Sequence, residues 1–108
     1  MVSLNAAVDV VIEITLNLTD PSKSVIKTNA RKEALVELLS SWLIDQIGRG
    51  KDESELNVKE EYHIKIGLSL AEDTFYTESD TGNRSVTCGL ITAALIELEK
   101  LQVLPLGQ

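Results

Sequence analysis

Between Val8 and Leu18 apolar and polar positions alternate with almost no interruption. Val8, Val10, Ile12, Ile14, Leu16 and Leu18 point one way, and Asp9, Glu13, Thr15 and Asn17 point the other, with Val11 the one apolar residue among them. A period of two predicts a strand with one buried and one polar face. The run is longer than the usual strand of about 5–6 residues, which predicts a central position.

A helix start follows at Thr19-Asp20-Pro21, where a side-chain oxygen can cap the first turn and proline at the first helical position loses no hydrogen bond. Lys23, Lys27 and Arg31 then recur every four residues, in line with Leu35 and Leu38. One continuous helix would carry those charges on its core side, so a short first turn and a main helix from about residue 28 are expected. The main helix has an apolar stripe of Ala34, Leu35, Leu38, Leu39, Trp42, Leu43 and Ile47, closed by Gly48-Arg49-Gly50. Residues 51–57 form a polar connection.

Alternation returns at residues 60–70, with Tyr62, Ile64, Ile66, Leu68 and Leu70 inward and Glu61, His63, Lys65, Gly67 and Ser69 outward. A tight turn at Ala71-Glu72-Asp73 leads to a short strand, Thr74 to Glu78, with Phe75 toward the core. Asn83 or Ser85 caps a last helix from about Arg84 to Leu101. This helix is apolar nearly all round, so it needs cover on two sides, and Gly89 and Ala93, four apart, let another backbone approach. The tail, Gln102 to Leu106, suits an edge strand, where Pro105 is tolerated.

The expected fold is one α+β domain over residues 1–108. It is a two-layer sandwich in βαββα(β) order, with a ferredoxin-like antiparallel sheet and two helices on one face.

Charge changes this picture little. The net charge is −7, and residues 51–80 hold nine acids against Lys51, Lys59 and Lys65. Nucleic-acid binding needs a basic face, so an acidic chain argues against it. Cys88 is the only cysteine, which excludes an internal disulfide and points to a reducing, cytoplasmic setting. No secretory signal is apparent, and the longest near-apolar run, Cys88 to Ile96, is far short of the ~20 residues of a membrane span.

Candidate chemistry is sparse. Asp80-Thr81-Gly82 spells the aspartic-protease triplet, but its lead-in, Tyr76-Thr77-Glu78-Ser79, is not the apolar strand that site requires, so it reads as a turn. One His and one Cys make no metal pair, and Glu72, Asp73, Glu78 and Asp80 do not match a calcium loop. Cys88 reads as a small core residue. A ligand site, if the chain has one, is expected from His63, Lys65, Tyr76, Arg84 and Ser85, the last two as an anion-binding helix start. No cofactor is implied.

The expected function is therefore a non-enzymatic, homo-oligomeric interaction or regulatory module, a dimer in the simplest case. Its contact would involve Val11 and Glu13 on the polar strand face, Gly89 and Ala93 on the last helix, or the basic residues Lys23, Lys27 and Arg31. The alternative is a small-molecule or anion site, enzymatic or sensory, on the polar sheet face or between subunits.

Overall fold

Every other part of the sheet is laid out from the alternating strand, which has neighbours on both sides. The computed structural model describes residues 8–50 and 59–106. In chain order these form β1 (Val10–Asn17), a 3-10 turn (Pro21–Lys23), β2 (Val25–Thr28), a second 3-10 turn (Lys32–Ala34), α1 (Leu35–Gly48), β3 (Glu61–Ser69), β4 (Thr74–Ser79), α2 (Arg84–Ile96) and β5 (Gln102–Pro105). The sheet order is β4-β3-β1-β2-β5. β1 runs antiparallel to β2 and β3, β3 antiparallel to β4, and β5 parallel to β2.

This is an α+β protein with a five-stranded mixed sheet and two helices. The expected ferredoxin-like, wholly antiparallel sheet is corrected on two counts. A second strand, not a helix, follows β1, and the tail strand joins its neighbour in parallel.

Side chains in the connection after β1 explain the first correction. Asn17 Oδ1 accepts from the amides of Thr19 and Asp20 at 3.1 and 2.8 Å, and Asp20 Oδ1 accepts from that of Ser22 at 3.2 Å. The Asn17 amide donates to Ser24 Oγ at 2.9 Å. Asp20-Pro21 thus starts a helical turn as its residues indicate, but the bonds close a loop and return the chain to the sheet. In β2, Ile26 and Thr28 are buried and Val25 and Lys27 only partly so. The alternation is present, but Ile26 is the single large apolar residue that marks its inner side. Lys23, Lys27 and Arg31 accordingly share no helix: Lys23 lies in the first 3-10 turn, Lys27 in β2, and Arg31 caps the second 3-10 turn.

The core forms where the inner sheet face meets both helices. Ile12, Ile14 and Leu16 of β1, Ile26 of β2 and Tyr62, Ile64 and Ile66 of β3 cluster with Leu35, Leu39 and Trp42 of α1 and Leu90, Ile91 and Ala94 of α2. Phe75 packs against that cluster. Some positions depart from the pattern. Leu18 and Leu70 end their strands exposed, and Ile47 of α1 faces solvent rather than the core. Val8 leaves the inner line, and its methyl groups lie against Gly67, where an added Cβ would come within 3.0 Å of them. Helix α1 ends before Gly50, whose φ of 82° only glycine adopts easily. Asn83 caps α2 by accepting from the Val86 amide at 3.1 Å. The polar connection read at residues 51–57 lies outside the described residues. Among the described residues, no helix is long and apolar enough to cross a membrane.

Candidate functional site

The pleat sends the odd-numbered residues of β1 to the face opposite the helices, and register assembles their neighbours. Glu13 lies across from Lys65 of β3 on one side and Lys27 of β2 on the other. Lys65 in turn lies across from Glu78 of β4. Glu78, Lys65, Glu13 and Lys27 therefore form one row over four adjacent strands, alternating in sign. No ion pair among the described residues includes any of the four.

One step along the strands, His63 lies across from Thr15, and the next row the other way sets Val11 across from Gly67 and Gly67 across from Tyr76. The register thus places Val11, Glu13, His63, Lys65 and Tyr76 on one face. A hollow of about 350 Å³ lies here, lined by Glu13, Thr15, His63, Lys65, Glu78 and Asp80 among others.

His63 is held from both sides. Its Nδ1 lies 2.9 Å from Asp80 Oδ2 and its Nε2 lies 3.2 Å from Glu61 Oε2. Asp80 Oδ2 also accepts from the His63 amide at 2.8 Å and pairs with Lys59 Nζ at 3.4 Å. Partial burial pushes the Asp80 carboxyl up, but the bonds from the His63 amide and ring and from Lys59, together with the lysine charge, outweigh it and hold the group below its usual range. The carboxylates can only accept, so a neutral imidazole, with one N–H, donates to one of them and not both. Chemically this is a clamp joining the start of β3 to the end of β4, with each ring nitrogen turned to a carboxylate. The Asp80-Thr81-Gly82 triplet is a bend and loop that carries the chain from β4 toward α2.

The other proposed ligand residues do not converge on this hollow. Tyr76 shares the face, but its hydroxyl donates to Glu72 Oε2 at 2.9 Å, and that bond, slight desolvation and the carboxylate charge push its pKa up. Arg84 and Ser85 begin α2, in the other layer, and line a separate hollow with Ile47 and Cys88. Arg84 Nη1 donates to the Gly50 carbonyl at 3.1 Å there. Burial pushes the Cys88 thiol up, with the Arg84 charge pulling the other way, so the thiol is not activated. No group of three or more metal-ligating side chains gathers among the described residues.

Of the interface candidates, Val11, Glu13 and Lys27 lie on the face opposite the helices, which no described element covers, whereas Lys23 and Arg31 flank β2 at its two ends. Gly89 and Ala93 are exposed on α2, and nothing lies within 4 Å of where a Gly89 Cβ would sit. Two features escaped the sequence reading. Asp80 as the partner of His63 had no signal, because the pair is 17 residues apart and joined only by strand pairing. The exposed side of α1 was hidden because its apolar residues continue the core stripe.

No family model, curated protein or solved structure matches this chain.

Proposed function

We propose that this protein is a non-enzymatic interaction or regulatory module that works as a homo-oligomer, a dimer in its simplest form, with its helix layer as the contact. The observation behind this reading is the exposure of large apolar side chains there. On α1, Val36, Ile44 and Ile47 are 54, 72 and 72% exposed, and on α2 Ile96 is 75% exposed. Single exposed apolar residues are ordinary, but residues 36, 44 and 47 fall on one side of one helix, which supports reading that side as the contact. On α2, Gly89 and Ala93 share the side of Ile96 and leave room for an approaching backbone. The unpaired Cys88 supports placing this module in a reducing cytoplasm.

Sedimentation velocity at micromolar concentration tests the reading. The expected result is a dimer or larger species for the wild type. Replacing both Ile44→Asp and Ile47→Asp is expected to lower the mass and leave the circular dichroism unchanged. A wild type that sediments as a monomer overturns it.

The hollow beside His63 and Lys65, lined by both signs of charge, favours a second reading as a small-ligand site. Thermal-shift screening of the wild type, His63→Ala and Lys65→Ala checks it. A ligand whose stabilisation both substitutions leave untouched does not bind there.

A further inference from the structure

We infer that the open sheet face carries a second, electrostatic self-contact, in which another copy of this chain packs face to face about a two-fold axis parallel to the strands, between β3 and β1. The charge row supplies the argument. Read from β4 to β2 it runs Glu78, Lys65, Glu13, Lys27, and a two-fold axis along the strands reverses it. Glu78 of one copy then stands over Lys27 of the other, and Lys65 over Glu13, so all four positions meet the opposite sign. A two-fold axis across the strands at this row sets Glu13 on Glu13 and Lys65 on Lys65, which repel. Charge thus selects one arrangement.

The neighbouring rows obey the same operation. His63 faces Thr15, Gly67 with Val8 over it faces Val11, and Ser69 faces the position of Asp9, with no like charges opposed. Face-to-face sheets pack about 10 Å apart, a gap that lysine and glutamate bridge from the two sides. Twist turns such sheets by about 30°, so the two Lys65–Glu13 pairs, nearest the axis, keep their alignment best. Among the described residues none of the four side chains has an ion-pair partner, so the contact breaks no salt bridge there. Its attraction weakens with salt, because the screening length falls to about 8 Å at physiological ionic strength.

This contact is independent of the helix layer, so it is tested in the Ile44→Asp/Ile47→Asp background. Sedimentation at low salt is expected to give a dimer that dissociates at high salt. Adding Lys65→Glu or Glu13→Lys to that background is expected to weaken self-association by about tenfold or more. Mixing the two charge variants restores the dimer, since each altered side chain then faces the opposite sign. The inference is overturned by a background protein that is monomeric at low salt, by charge variants that stay dimeric, or by a mixture that stays monomeric. The helix-layer reading fails by a different sign: the double aspartate protein then keeps the wild-type mass at high salt.

Discussion

The indole nitrogen of Trp42 donates to the hydroxyl of Thr77 across 2.8 Å, joining α1 to the edge strand β4. Trp42 is fully buried, and a buried indole N–H needs an acceptor, which Thr77 supplies. Thr77→Val keeps the shape and removes the acceptor. It is expected to cost about 1–3 kcal/mol, while Thr77→Ser, which keeps the hydroxyl, costs distinctly less. Urea unfolding followed by fluorescence of the single tryptophan measures both.

Asp80 makes stability depend on pH in a defined direction. Its folded pKa lies below the ordinary 3.8. The stabilisation is therefore complete above the unfolded value and is lost as pH falls through the lower, folded one. Asp80→Asn is expected to destabilise by about 1 kcal/mol at neutral pH, a modest figure because the pairs with His63 and Lys59 are partly screened by solvent. Unfolding curves of the two proteins should converge as pH is lowered through the acid range. A difference that persists undiminished at the acid end contradicts the assignment.

β2 is tested by its two sides. Ile26 is wholly buried, and Ile26→Ala is expected to cost about 2–5 kcal/mol. Lys27, its neighbour on the open face, is only partly buried, and Lys27→Ala is expected to change stability by no more than about 0.5 kcal/mol. Chemical denaturation distinguishes this alternating sensitivity from a helical period.

Cys88 is expected to react slowly. Its thiol is half-buried and pushed up by that burial, so little thiolate is present at neutral pH. Alkylation by iodoacetamide, read by mass spectrometry, should run several-fold slower in the native protein than in urea.

The strands at 10–17 and 61–69 were legible because a long run shows its period directly, and the last helix was legible at its start, although its end, read at about Leu101, falls at Ile96. β2 was not, since its four residues carry one large apolar side chain, and Lys23, Lys27 and Arg31 imitate a helical spacing by coincidence. The site was legible in part. Val11, Glu13, His63 and Lys65 follow one face by parity alone, whereas Arg84 and Ser85 belong to another layer, which no spacing along the chain reveals.

By itself, then, the sequence determined which side chains face inward along each long strand and where α2 begins, because these depend on local period and capping. Tertiary structure alone decided strand order, the parallel pairing of β5, the hold of Asp80 on His63 and the row Glu78–Lys65–Glu13–Lys27. The reason is physical: a pleat sets the face of a residue from its own strand, while its neighbours across the sheet depend on register between segments far apart in the chain.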